Sequence, residues 1–128
     1  VIQRCVDMGV IPALFAFTPI PGTQLENNHQ PSIQRYRRIQ IARHLIVLRI
    51  VRYEDMRFDE GCIMDFSVDE QTLPQIIRTG EAFLTSGCPN CNRPYYNEKP
   101  SGPIYNYCKD LTEKEISLIR EQIGLKEA

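Results

Sequence analysis

Two cysteines separated by two residues are the groups in this chain best suited to chemistry. Cys88 and Cys91 follow an apolar run directly, with Gly87 and Pro89 tightening the turn. Because such a turn points both sulfurs to one side, two thiolates at this spacing can bind the same soft metal atom. A closed metal site needs about four ligands, and Cys108, on the same long loop, is the best third ligand in the chain.

The residues alone leave the role of this pair open. Cys88 and Cys91 can bind an auxiliary iron–sulfur cluster with Cys62 or Cys108 as further ligands, form half of a zinc site, or stand as two thiols on a structural turn. Cys62 begins a predicted strand and is expected to be a small buried residue, and Cys5 is expected in the core.

A polar and aromatic tract follows the cysteine pair. Its side chains are suited to orienting a small-molecule substrate, and the alternative is a surface loop whose tyrosines pack inward. Residues 86–110 show no periodic pattern, and so long a loop in a compact domain is usually functional. The candidate substrate-binding residues are Arg93, Tyr95, Tyr96, Asn97 and Glu98.

Three apolar segments predict strands. The run over residues 10–17 is typical of a strand buried on both faces, and residues 61–66 and 81–85 predict two more. Strands that alternate with helices indicate an α/β fold. If the strands are parallel, the loops that follow them open on one face, so the turn at residues 18–23 and the cysteine loop should share a site.

Helix signals lie between these strands. Ser32 can cap a helix that runs to about Leu48, and its arginines at 35, 37, 38 and 43 are expected on a solvated face. A short helix is predicted within residues 68–79, capped by Ser67 with Glu70 or Thr72 with Gln75 and stopped by Gly80. A last helix starts at the capping box of Thr112 and Glu115 and stops at Gly124.

The first residues predict the last turns of a helix. Val1, Ile2, Cys5 and Val6 have helical spacing, and Gly9 stands where a left-handed stop would lie. Since neither an initiator methionine nor a cap residue comes before them, we expect the chain to be a fragment of a longer protein, cut inside this helix.

Composition narrows the functional class. The 128 residues are 42% hydrophobic with a net charge of −1, which suits one domain and argues against nucleic-acid or anionic-membrane binding. The apolar runs are too short to span a membrane. Five cysteines are an odd number for a disulfide framework, so a reducing, cytoplasmic location is expected.

Two motifs resemble those of one enzyme family. The sequence FTPIPGTQL (residues 17–25) and the longer GEAFLTSGCPNCNRPYYNE (residues 80–98) are similar to biotin-synthase-like radical S-adenosylmethionine enzymes, in particular to the biotin-synthase-related subgroup. The resemblance covers roughly residues 1–107. It implies the C-terminal half of a partial (β/α) TIM-like barrel over residues 1–110, including the cysteine loop 86–110, with a C-terminal helix in 111–128.

The resemblance also implies cofactors and chemistry. A [4Fe–4S] cluster would cleave S-adenosylmethionine to a 5′-deoxyadenosyl radical, in a reaction that includes sulfur transfer in biotin-synthase-like members, with Pro21, Gly22 and Thr23 near the S-adenosylmethionine. Cys88 and Cys91 would then hold an auxiliary iron–sulfur cluster rather than zinc. The family's Cys-x3-Cys-x2-Cys triplet is absent from this sequence, so the isolated chain is expected to be inactive.

Partners follow from the same resemblance. The chain would pair with the missing N-terminal half of its barrel, and the strand edge at residues 10–17 would favour self-association in its absence. The alternative is a stand-alone zinc- or iron–sulfur-binding module that uses Cys88, Cys91 and Cys108 for contact with a partner.

Overall fold

One long helix forms the axis of the fold. The computed structural model describes residues 1–85 and 104–124. In it, helix α2 (Ile33–Val47) presents the fully buried Ile41 and Leu45 to the other elements. The remaining elements of these two ranges are α1 (Ile2–Asp7), β1 (Arg57–Asp59), β2 (Cys62–Asp65), α3 (Thr72–Thr79), α4 (Glu113–Ile123) and two 3-10 turns, Tyr53–Asp55 and Glu81–Phe83.

The predicted limits of α2 are confirmed, with an end that the sequence did not signal. The Ser32 hydroxyl accepts a hydrogen bond from the Arg35 amide at 3.2 Å, which satisfies one of the free amides of the first turn. At the other end, Arg49 has a φ of 59°, and the Ile50 amide donates to the Leu45 carbonyl at 2.9 Å. This is the left-handed stop that glycine usually provides, here formed by an arginine.

The other helix limits are confirmed as well, except for one cap. Gly80 closes α3 with a φ of 71° and Gly124 closes α4 with a φ of 66°. The reciprocal bonds of Thr112 and Glu115 open α4. Neither predicted capping box opens α3, because the Asp69 carboxylate accepts from the Thr72 amide at 2.8 Å instead. Bonds from Thr72 hold the pKa of Asp69 below its usual value.

The two strands form a hairpin. β1 and β2 pair antiparallel, with Phe58 opposite Ile63 and Asp59 opposite Cys62. Glu60 and Gly61 turn the chain with φ values of 48° and 78°, the pair of positive angles that a two-residue type I′ turn needs. The predicted strand at residues 61–66 is therefore confirmed in position, but so short a connection can only join antiparallel strands.

The predicted half of a (β/α) TIM-like barrel is wrong. In residues 1–85 and 104–124 the only sheet is this hairpin. Residues 10–17 form no strand. Within them, Pro12 has no amide hydrogen to donate to a neighbouring strand, and its carbonyl accepts a hydrogen bond from Arg43 Nε at 2.6 Å. Within residues 81–85 the chain makes a 3-10 turn and then one isolated parallel bridge, between Leu84 and Tyr107.

Helix packing takes the place of the expected sheet. The core joins side chains of α2 and α4 with those of the short turn after α3, and the most completely buried are Ile41, Leu45, Phe83 and Ile119, each 0% exposed. Residues 10–17 lie outside it, with Ile11 70% and Phe15 55% exposed. Self-association through this segment stays a prediction. Within the described ranges, no helix is both long and apolar enough to cross a membrane.

Two glycines with similar backbone angles provide a test of this packing. An ideal Cβ on Gly80 would lie 3.2 Å from Leu111 Cδ1, whereas one on Gly22 would meet no atom within 4 Å. We expect Gly22→Ala to lower the free energy of unfolding by about 1 kcal/mol through backbone strain alone. Gly80→Ala should lower the free energy of unfolding by about 2 kcal/mol or more, because Leu111 must also move. Urea unfolding of both variants measures the difference, and equal losses would contradict this packing.

Candidate functional site

The segment before residue 86 and the segment after residue 103 contact each other at one place. The Thr85 amide donates to the Tyr107 carbonyl at 2.8 Å, and the Tyr107 amide donates to the Phe83 carbonyl at 2.9 Å. We call this place the junction (residues 83–85 and 104–108). It holds Cys108, one residue beyond Tyr107.

Chain length then limits how far the cysteines can lie from one another. Cys88 comes three residues after Thr85, and three extended residues span at most about 11 Å. Cys108 is attached directly to Tyr107, whose backbone is bonded to Thr85. Chain length therefore does not prevent one metal centre from contacting both Cys88 and Cys108.

A buried arginine of α2 holds the junction together. Arg37 is 0% exposed, and its guanidinium donates to the backbone carbonyls of Ile104 and Tyr105. The guanidinium carbon lies 5.6 Å from the ring centroids of both Phe83 and Tyr107, within the range of cation–π attraction. One side chain thus contacts the chain on both sides of residues 86–103.

Neutral side chains add to the hydrogen bonding around Arg37. Gln40 accepts from Arg37 at 2.8 Å and donates to the Tyr105 carbonyl at 2.9 Å and to Asn106 Oδ1 at 3.0 Å. The Tyr36 hydroxyl and the Asn106 side-chain amide lie 3.1–3.2 Å apart. Among the described residues no buried side-chain nitrogen or oxygen lacks a hydrogen-bond partner. A satisfied network of this kind fixes a single arrangement of its members.

The loop that carries the first motif is tied to the same junction. The Tyr105 hydroxyl donates to the Pro31 carbonyl at 3.0 Å, and Gln30 Nε2 donates to Thr18 Oγ1 at 3.4 Å. These two contacts close the base of the loop and attach it to Tyr105. Side chains therefore attach the base of this loop to the junction, whereas the shared site that the turn at residues 18–23 and the cysteine loop were expected to form stays a prediction.

Within this loop, Pro21 and Gly22 form the tip of an exposed turn. The Thr23 amide donates to the Ile20 carbonyl at 3.3 Å, and Gly22 has a φ of 85°, as in a type II turn with proline and glycine in its central positions. The Gly22 amide donates to Glu26 Oε2 at 2.8 Å. Since no atom lies within 4 Å of an ideal Gly22 Cβ, a ligand could approach this backbone closely.

The candidate site residues divide into two groups. Pro21, Gly22 and Thr23 lie together on the exposed turn, and Cys108 is partly buried at the junction. The described ranges contain no group of three or more His, Cys, Asp or Glu side chains that could hold a metal ion. The remaining candidates lie outside the described residues: Cys88, Cys91, Arg93, Tyr95, Tyr96, Asn97 and Glu98.

The predicted solvated face of α2 is wrong for its two central arginines. Arg37 is fully buried, and Arg38 is 7% exposed with bonds to the carbonyls of Ile63 and Ile123, both at 3.1 Å. A signal for Arg37 was present in the sequence: it lies four residues before Ile41 and eight before Leu45, and this spacing puts all three on one helix face.

Two further groups of α2 are partly desolvated. Burial lowers the pKa of Arg43, whose Nε donates to the Pro12 carbonyl. Burial also lowers the pKa of the neighbouring His44, an effect that the Glu81 carboxylate opposes. α2 thus anchors residues 10–17 through Arg43 and the junction through Arg37.

Protein-family models, curated proteins and solved structures were all compared with this chain, and none of them matches it.

Removal of the Tyr105 hydroxyl tests the link between the loop and the junction. We expect Tyr105→Phe to keep its edge-on packing against Tyr36, whose ring centroid lies 5.0 Å away, but to lose the bond to Pro31. The free energy of unfolding should fall by about 1 kcal/mol, and the backbone amides of residues 18–31 should exchange their hydrogens faster. Tyr53→Phe, at a side chain 54% exposed, is the control. Unchanged exchange in Tyr105→Phe would show that the bond does not hold the loop.

Proposed function

We propose that this chain is the substrate-side part of a biotin-synthase-like radical S-adenosylmethionine enzyme, and that Cys88, Cys91 and Cys108 bind an auxiliary iron–sulfur cluster. The observation that carries the proposal is the junction, which bonds Thr85, three residues before Cys88, to the residue before Cys108. The similarity of residues 80–98 to the biotin-synthase-related subgroup supports iron–sulfur over zinc.

The donor set fits such a cluster. Cysteine thiolates are the usual ligands of iron–sulfur clusters, and this chain offers three within one segment and its junction. In a cluster with four iron atoms, three thiolates leave one iron available for a further ligand.

The proposed division of labour follows from the sequence. The Cys-x3-Cys-x2-Cys triplet that binds the radical-initiating cluster is absent from this chain, so it would be supplied by another part of the same enzyme. That cluster and S-adenosylmethionine supply the radical chemistry when bound. The turn at Pro21, Gly22 and Thr23 would contact S-adenosylmethionine, and residues 93–98 the small-molecule substrate. A cytoplasmic location suits unprotected thiolates and oxygen-sensitive clusters.

Metal analysis of the chain purified without oxygen tests the cluster. We expect iron and acid-labile sulfide with broad visible absorption, and we expect each of Cys88→Ser, Cys91→Ser and Cys108→Ser to lose most of both. Cys62→Ser is the matched control, because Cys62 belongs to the hairpin strand β2, and it should keep the cluster. Zinc without sulfide would instead favour the metal-binding module, and the absence of any metal would contradict both.

The reaction is tested on the full-length enzyme that contains this chain. After reconstitution with iron and sulfide, we expect reductive cleavage of S-adenosylmethionine to 5′-deoxyadenosine. Gly22→Val should weaken S-adenosylmethionine binding, because it adds a branched side chain to the turn tip, while Gly9→Val, at a glycine with a similar φ of 79°, controls for backbone strain. No cleavage by a protein with its full iron content would contradict the radical assignment.

A further inference from the structure

We infer that residues 11–17 are the edge by which a second copy of this chain binds, through antiparallel strand pairing across a twofold axis. This interface is independent of the proposed function, since no cysteine and no cofactor takes part in it. It gives self-association a definite geometry, in which the backbone groups of alternate residues bond to the partner copy and those of the residues between them do not.

The backbone of residues 11–17 is extended and offers hydrogen-bonding groups that the described chain leaves unused. The segment contains neither a turn nor a bend, and none of its φ angles is positive. No amide of the segment donates to a backbone carbonyl of the described residues, while the Pro12 carbonyl accepts from Arg43 Nε. An extended run of unpaired amides and carbonyls is a template for pairing with another chain.

Exposure alternates along the segment, as it does in a strand with one covered face. We call the exposed residues the outer set (Ile11, Ala13 and Phe15) and the half-buried residues between them the inner set (Pro12, Leu14 and Ala16). Both sets are apolar. Because Ile11 is 70% and Phe15 55% exposed, the outer set offers a partner strand hydrophobic contact as well as backbone bonds.

The two sets also divide the backbone between two edges. In an extended chain, successive residues point their amide and carbonyl groups to opposite edges. Since the Pro12 carbonyl is bonded to Arg43 of α2, the inner set faces the edge next to that helix. The outer set therefore faces the opposite edge, where each of its residues has an amide hydrogen to donate. The amide hydrogen that Pro12 lacks belongs to the α2 edge and does not interrupt the outer one.

The segment is complementary to itself, which favours a second copy as the partner. No charged side chain lies between Asp7 and Glu26, so two copies meet neither like-charge repulsion nor the charges, lysine above all, that commonly block an edge. A twofold axis at Ala13 places Ala13 opposite Ala13 and Ile11 opposite Phe15 on both sides of the axis. A β-branched residue opposite an aromatic ring is a favourable cross-strand pair.

The same axis uses every donor of the outer set. Hydrogen-bonded pairs recur at every second residue of antiparallel strands, and the two members of each pair exchange two backbone bonds. With the axis at Ala13, all residues of the outer set belong to such pairs. An axis at Phe15 would instead place Ile11 opposite Pro19, which has no amide hydrogen. The residues therefore favour the register centred on Ala13.

Two proline variants test the outer edge. Ala13→Pro removes an amide hydrogen from this edge, and Ala16→Pro, the matched control, removes one from the edge next to α2. Neither amide donates to a backbone carbonyl of the described residues, so both variants should fold as the unchanged chain does. The contact is confined to one short segment of each copy, and it therefore suits a weak dimer rather than an interface of roughly 1,200–2,000 Å².

The measurement is sedimentation with reductant present, at protein concentrations up to about 1 mM. We expect the unchanged chain and Ala16→Pro to form dimers with similar dissociation constants. Ala13→Pro should raise the dissociation constant at least about tenfold, because both copies lose a bond on the axis. Equal dissociation constants in the two variants would overturn the inference, since association would then depend on side chains alone.

Hydrogen exchange of the unchanged chain provides a second measurement that needs no variant. As the protein concentration rises, the amides of Ala13 and Phe15 should exchange more slowly, while those of Leu14 and Ala16 should keep their rates. Equal protection of neighbouring amides would contradict pairing through one edge. A chain that stays monomeric at every concentration would also overturn the inference and leave the edge to a strand of another protein.

Discussion

The burial of the Arg37 guanidinium is the constraint on which the described structure depends most. Removing a positive charge from water costs several kcal/mol unless hydrogen bonds and polarisable groups replace the lost hydration. Two backbone carbonyls, two glutamine side chains and two aromatic rings contribute to that replacement here. Because these groups come from α2, α4 and both sides of the junction, satisfying one charge brings four parts of the chain together.

This arrangement explains how the junction is ordered without a sheet. A hairpin of two short strands is at most marginally stable by itself, and the isolated bridge between Leu84 and Tyr107 contributes only two backbone bonds. The junction is held instead by side chains that bond to backbone carbonyls, supported by the packing of α2 against α4. Side chains of the helices thus hold the junction in place, as the ends of parallel strands hold loops in an α/β enzyme.

The sequence predicted the parts of the fold that depend on local chemistry. The predicted helix limits are correct because a helix cap depends on only four or five neighbouring residues. These limits are marked by Ser32, Gly80, Gly124 and the pair Thr112 and Glu115. The strand predicted at residues 10–17 is wrong, because an apolar run suggests a buried, extended segment but does not show whether a partner strand exists. Strand pairing is a non-local property that no short pattern encodes.

The candidate site was predictable only in part, for a similar reason. Residue types predicted the turn at Pro21 and Gly22, whose angles follow from its residues, while the ligand role of Cys108 stays a prediction. Arg37 was missed because arginine is usually exposed, although its spacing from Ile41 and Leu45 placed it on the inner face. The contact of Tyr105 with Pro31, 74 residues apart, leaves no trace in either local sequence.

The junction also bears on how strongly three cysteines could hold a metal. Cys91 and Cys108 are seventeen residues apart, and closing a flexible loop of that length costs about 2.5 kcal/mol in its length-dependent entropy. In this fold the bonds of Thr85, Tyr107 and Arg37 close the enclosing segment before any ligand binds. Part of the closure cost then falls on folding rather than on metal binding, so the proposed centre would bind its metal more tightly than the same cysteines in an unfolded chain. If the three cysteines bind a metal as proposed, the stability of the core and the affinity of the site would be coupled through the same few hydrogen bonds.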